Sequence, residues 1–259
     1  MTAALPLTIA NPLFRKLESL FQLNRPTTIF DTNSLKHEAD KLAKTDAASA
    51  CIVRAGLAAL NWDLAETEKQ TQRALQLAPN EANVLHNSAI NFRQLNEIGM
   101  AANYAQQALS LATNNKMFLT DAYGFLSGAG YISDAYQILL DRLHMGLNLE
   151  DELSDAKFFS QCIKQLGIQE LQIQTEIQLA MTVLRQHQLR FVDVVPEMSV
   201  FAEDEQPSLS IQIGFLGDFE TEMQLESDLA SRLIDLPGWD ISKLSVEFSH
   251  ISQDELQTA

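Results

Sequence analysis

Cysteine is scarce in this chain, with two among 259 residues. Two thiols cannot build a disulfide framework, which excludes a stapled miniprotein. Cys51 and Cys162 lie far apart, neither belongs to a CxxC pair, and each sits on an apolar helical stretch. They are expected to be buried free thiols in a reducing cytoplasm. Long apolar runs are also missing, and without a stretch of about 20 apolar residues no helix is expected to span a membrane. Basic residues are the third shortage. Lys and Arg number 18 against 34 Asp and Glu, a formal charge of −16. Such a surplus repels nucleic acid phosphates and anionic lipid at long range, which argues against nonspecific binding to either. The start of the chain lacks the order of a secretory signal. Met1 to Phe14 is mostly apolar, but Arg15 and Lys16 follow it instead of preceding it, and Pro6 and Pro12 interrupt it. A cytoplasmic protein of bacterial type is the expectation.

Apolar residues make up 46% of the chain, enough for real cores and too much for a disordered polymer. The acid is unevenly placed. Residues 189–259 hold three basic and fifteen acidic residues, a local charge of −12, whereas residues 1–188 carry only −4. The texture changes at the same point, from Ala, Leu and Gln-rich segments to alternating Val, Phe, Ile and Ser. Three regions are therefore expected: an N-terminal helix and linker over 1–33, a helical domain over 34–188 and an acidic α+β domain over 189–259.

Within the helical region a period of 34 residues appears. Aligning Ala48 to Glu81 with Ala82 to Asn115 superposes Ala55 on Ala89, Ala74 on Ala108, Leu75 on Leu109 and Asn80 on Asn114. A third unit, Lys116 to Leu149, keeps the register, with Gly130 at its inter-helix turn and Ala135 under Ala101. Each unit reads as two helices. In the first, the turn falls at Asn61 to Asp63 and the second helix runs from about Leu64 to Leu77 before Pro79 stops it. One such pair cannot bury its apolar face alone, so stacking of pairs is expected.

These residues resemble the tetratricopeptide repeat family. The second unit matches best, through Asn87, Phe92, Ala101, Ala108, Leu109 and the closing Asn114 and Asn115. The first contributes Ala74, Leu75 and Pro79, and the third Gly130 and Ala135. The pattern also departs from the family: its early aromatic is Cys51, Leu85 or Leu119 here, Tyr123 stands in a small-residue position, and Thr113 replaces the closing proline. The resemblance implies an α-solenoid of antiparallel helix pairs and a concave groove, lined by the first helix of each unit, that receives a peptide or partner helix. Carried over by position, the groove residues are Asn83, His86, Asn87, Ile90 and Arg93 of the second unit and Met117, Thr120 and Ser127 of the third. Asn87 could pair with an extended backbone and Arg93 could fork onto a carboxylate. The first unit offers Ser49, Ile52, Gly56 and Ala59, a poor surface for a charged ligand.

The flanks read as additions to the stack. A helix is expected to open at Asn11 and Pro12 and reach Gln22, followed by a linker from Leu23 to Asp31 and a lone helix from Ser34 to Lys44, capped by Asn33 or Ser34. Glu150 to Leu166 and Ile168 to Gln188 form another pair, separated by Gly167, with Phe158, Phe159, Cys162 and Leu166 expected on one face. Beyond Leu189, Phe191 to Val195, then Met198, Val200 and Ala202, and then Leu209, Ile211, Ile213 and Phe215 show the period of two that marks half-buried strands. Glu203 to Pro207 is the expected hairpin turn. Phe219 to Ile234 reads as an amphipathic helix with apolar Met223, Leu225, Leu229 and Leu233, and Leu244, Val246 and Phe248 as a last strand. A small antiparallel sheet with one covering helix is the expected fold of this part.

Catalytic and metal motifs are not found in adequate context. His37, His86, His144, His187 and His250 lie on different elements without HxxxH or HxH spacing. Gly124, Gly128 and Gly130 fall between helices rather than after a strand, and Gly214 and Gly217 neighbour Asp218 and Glu220, which would repel a phosphate. Glu203, Asp204 and Glu205 read as a solvated run. No cofactor or metal is expected, and the chain reads as a non-enzymatic adaptor that holds a protein partner. Two further roles fit the composition: an immunity-type inhibitor whose acidic domain covers a basic partner such as a nuclease, and a chaperone for a secretion complex.

Overall fold

The computed structural model describes residues 10–22, 28–146, 149–199, 208–234 and 243–251. Among them are eleven helices and three strands. The chain falls into two compact units, the first comprising 1–95 and 103–113, the second 96–102 and 114–259. Leu189, where the sequence changes texture, lies inside the second unit.

The first unit contains α1 (Ala10–Gln22), α2 (Ile29–Leu42), α3 (Ala47–Leu60), α4 (Leu64–Leu77), α5 (Ala82–Arg93) and most of α6 (Ile98–Leu111). The second helices of the three repeats open at Leu64, Ile98 and Ile132, 34 residues apart each time. Local chemistry sets the ends. Asp46 and Asp63 each accept a backbone N–H from the first turn of α3 and α4, meeting donors that the helix leaves unsatisfied. The helix expected from Ser34 to Lys44 opens earlier, at Ile29, so residues 29–31 are helix and not linker. The reason is a capping box. Thr28 Oγ1 accepts from the Asp31 N–H, and the Asp31 carboxylate accepts from the Thr28 N–H at 3.0 Å.

The core of this unit is built from small residues. Ala50, Ala55, Ala59, Ala74 and Ala89 are completely buried, and α3 is buried almost all round. Leu13 and Leu17 of α1 and Leu35, Ala39 and Leu42 of α2 form one cluster with Val53, Leu57 and Leu60 of α3. A Cβ on Gly56 would run into Leu17 and Asn91, so glycine lets α1 and α5 both approach α3 there. Two polar side chains reinforce the packing: Asn91 donates to the Ile52 carbonyl at 3.1 Å, and the buried Thr67 hydroxyl donates to the Ala55 carbonyl at 3.2 Å.

The second unit adds α7 (Lys116–Gly128), α8 (Ile132–His144), α9 (Glu150–Leu166), α10 (Glu170–Gln186), β1 (Phe191–Ser199), β2 (Ser208–Leu216), α11 (Phe219–Leu233) and β3 (Leu244–Ile251). Gly130 and Gly167 make the turns after α7 and α9 with φ of +81° and +69°, a region closed to most side chains. The strand order is β1-β2-β3, with β1 antiparallel to β2 but β3 parallel to β2. The expected antiparallel sheet is therefore mixed. The connection explains it, because β2 reaches β3 through α11, and a helix-length crossover is what parallel neighbours need. β1 also runs through Pro196, opposite Ile211 in the register; an edge strand tolerates the missing N–H. Residues 200–207, including the expected Glu203 to Pro207 turn and the outer half of the second expected strand, and residues 235–242 between α11 and β3 lie outside the described residues.

Alternation holds on β3, where Leu244, Val246 and Phe248 are buried, but β2 is covered on both sides, with Ser210 and Gly214 buried as well as Leu209, Ile211, Ile213 and Phe215. The core gathers Ile213, Phe215 and Phe248 of the sheet with Ile173, Ile177 and Met181 of α10 and Leu225 and Leu229 of α11. The Phe215 and Phe248 rings meet edge to face, centroids 6.3 Å apart. The outer edge of β3 is closed by carboxylates. Glu226 accepts the Phe248 N–H at 2.5 Å and Glu222 accepts the His250 N–H at 2.9 Å, so α11 satisfies backbone donors that an open edge would offer to another chain.

Candidate functional site

The residues expected to line a groove divide between the units. Asn83, His86, Asn87, Ile90 and Arg93 lie on α5 of the first unit, and Met117, Thr120 and Ser127 on α7 of the second. On α5, Val84, Leu85, Ser88, Ala89 and Phe92 turn into the core, as does His86 at 5% exposed. The remaining four form a stripe along the helix: Asn83 is exposed, and Asn87, Ile90 and Arg93 are half-buried. Asn87 donates to the Asn83 carbonyl at 2.7 Å and Asn83 to the Glu81 carboxylate at 2.9 Å, which fixes both amides along the helix. On α7, Met117 and Thr120 are exposed, and the Thr120 hydroxyl donates to the Lys116 carbonyl. Ser127 is half-buried and donates to the Gly124 carbonyl.

The same face of α3 is in a different state. A shift of 34 residues maps Ser49, Ile52, Gly56 and Ala59 onto Asn83, His86, Ile90 and Arg93. Ile52, Gly56 and Ala59 are buried, with α1 packed over Gly56 through Leu17. An amphipathic helix of the chain itself thus occupies the α3 face, while the α5 stripe stays partly open.

The second unit contains a cavity of about 450 Å³. Ile173 and Ile177 of α10, Phe159 of α9 and Ile211 of β2 give it apolar walls. Phe158, expected to share the buried face of α9, is 53% exposed and stands at its rim: one residue from Phe159, it points about 100° away around the helix. Polar groups come from Tyr123 and Ser127 of α7, Tyr136 of α8, and Asp155 and Cys162 of α9. Burial pushes the Tyr123 phenol up, with Glu152 adding to the rise. Burial likewise raises the Cys162 thiol. Beside Tyr123 lies Arg142 of α8, its guanidinium carbon 5.8 Å from the ring centroid. Arg142 is 8% exposed and its Nε is buried without a hydrogen-bond partner.

Several of these residues escaped the sequence reading. Arg142 stands in the last turn of α8, where a cation reads simply as a partner for the helix dipole. Its signal was the spacing Ala135–Arg142, one heptad along the buried face. Asn96 escaped too. Its side chain donates to the Leu189 carbonyl at 2.7 Å and its oxygen faces the Phe191 N–H, fixing the start of β1 from the turn before α6. Among the described residues no group of three or more His, Cys, Asp or Glu is placed to hold a metal ion, and no helix is long and apolar enough to cross a membrane. Comparison with protein-family models, curated proteins and solved structures finds no match to this chain.

Proposed function

We propose that the protein is a non-enzymatic interaction protein of the tetratricopeptide-repeat kind, an α-solenoid of helix pairs that holds a protein partner on α5. The observation that carries this reading is the contrast between α3 and α5. These helices are one period apart, and the α3 face already receives an amphipathic helix, with Leu17 over Gly56. The α5 face keeps a stripe of Asn83, Asn87, Ile90 and Arg93, where Ile90 would meet the apolar side of a partner and the amides its polar groups. Small buried residues let the helices approach closely, as a scaffold for such a surface requires. The buried free thiols Cys51 and Cys162 suit a reducing compartment.

An inhibitor that covers a basic active site would need its acidic residues free. Four of those in residues 189–259 have work inside the second unit: Asp218 caps α11, Glu222 and Glu226 close the β3 edge, and Asp228 pairs with His187 at 2.8 Å. The acid thus supports the fold before it supports a partner, and the adaptor reading is preferred.

The test is partner capture from cells of the source by the full chain and by a form carrying Asn87→Ala, Ile90→Ala and Arg93→Ala, with helicity checked by circular dichroism. The wild type should retain a partner that the folded variant loses. Equal retention would overturn the assignment to α5.

A further inference from the structure

We propose that the cavity of the second unit binds a small apolar molecule carrying one positive charge, its body among Phe159, Ile173, Ile177 and Ile211 and its ammonium at the rim beside Asp155 and Phe158. The site belongs to the second unit and does not depend on the α5 surface. Its volume, about 450 Å³, lies within the range of roughly 300–1,000 Å³ usual for small-molecule sites. The wall draws on α7, α8, α9, α10, β1 and β2, so the space is fixed by the packing of helices on the sheet. Ile173, Ile177 and Ile211 are fully buried, and an apolar body placed against them leaves water as core side chains do.

Charge decides the polar end of the ligand. Asp155 is the one charged side chain of the wall, and it is exposed. Three residues on along α9 stands Phe158, 53% exposed, and positions i and i+3 share a helix face. A carboxylate and an aromatic ring side by side at an opening can hold an ammonium, one by ion pairing and the other through the negative face of the ring. Among the described residues Asp155 makes no ion pair with a Lys, Arg or His of the chain, so its carboxylate is open to a ligand. Lys157, two residues after Asp155, points about 200° away around the helix. Arg142 lies over the Tyr123 ring but does not line the cavity. Burial raises the Tyr123 phenol most; of the charges around it, Glu152 raises it by more than Arg142 lowers it, and Asp155 adds to the rise. The field at this part of the wall is therefore negative. A cation is drawn to it, and a carboxylate-ended molecule would be repelled.

Titration of the full chain, labelled at its isoleucine δ1 methyls, with decylammonium, decan-1-ol and decanoate at submicellar concentration tests the site by NMR. Decylammonium should shift the Ile173, Ile177 and Ile211 methyls saturably and leave Ile52 and Ile90 of the first unit unmoved. It should bind about fivefold tighter than the alcohol, the yield of an exposed ion pair beside an aromatic ring, and decanoate should bind weakest. Asp155→Asn should cut the preference for decylammonium over the alcohol to about twofold or less. Absence of shifts at Ile173, Ile177 and Ile211, equal affinity for decylammonium and decan-1-ol, or a preference that Asp155→Asn leaves unchanged would each overturn the proposal. The last outcome separates this site from the general attraction of a chain of charge −16 for cations. The first two comparisons use unaltered protein, so a folding defect in the variant would not rescue it.

Discussion

The two units fill their interiors in opposite ways. In the first, alanines on α3, α4 and α5 bring helices together so closely that one glycine, Gly56, is the seat for both Leu17 and Asn91. In the second, Phe, Ile and Met side chains lie between the helices and a mixed sheet, and the layers leave a cavity. Small residues make a close-packed helical scaffold that has surface to offer but little interior. Large residues on elements of different geometry make a thicker unit with room inside. The first unit thus offers its outer helix faces, and the second has an interior cavity.

The comparison can be broken from either side. Phe215→Ala removes a fully buried ring and its edge contact with Phe248, and should destabilise the second unit by about 3–5 kcal/mol. Hydrogen exchange should show lost protection in α10, α11 and the sheet while α3 and α4 keep theirs. Gly56→Val does the reverse in the first unit, forcing Leu17 and Asn91 away for about 1–3 kcal/mol by overpacking. Chemical denaturation should show a lower midpoint, with α1 losing protection first. Asp63→Ala removes the cap of α4 and should lower stability by about 1 kcal/mol in the same measurement.

Two smaller effects concern α11. Replacing both Glu222 and Glu226 by Val leaves the Phe248 and His250 N–H groups open at the β3 edge, and light scattering should then detect self-association absent from the wild type. Glu226 also carries a pH signature. Burial raises it from its ordinary value of 4.5, more than the Phe248 N–H lowers it, and Glu247 raises it further. A raised folded value contributes stability that is complete below the unfolded value and lost as pH rises through the folded one. Stability of the wild type should therefore fall over that window. Glu226→Gln keeps an acceptor for Phe248 and should abolish the fall. Asp218 acts with the opposite sign: the hydrogen bonds from Thr221 lower it, so its contribution is lost as pH falls through the folded value.

How far the sequence reveals this structure depends on where the deciding chemistry lies. The 34-residue period, the ends of α4 at Leu64 and Leu77 and the span of α9 are legible because Asp63, Pro79 and Gly167 punctuate the chain locally. The start of α2 is masked by Pro26, which makes the Thr28 and Asp31 box look like linker. Alternation on β3 identifies its buried face, but a period of two is the same in either direction, so parallel pairing with β2 cannot be read from it. The α5 stripe is visible from spacing alone except for the burial of His86, which depends on neighbours outside α5. The cavity is not visible at all, since Tyr123, Phe159, Ile173 and Ile211 sit on four elements that no sequence motif connects.

The central claim is that α5 receives the partner, and site-specific photo-crosslinking in cells of the source tests it most directly. A photoreactive residue at Asn87 should give one dominant protein adduct, while the same residue at Gln72, exposed on α4, should give none. No adduct at Asn87, or the same adduct at both positions, would contradict it.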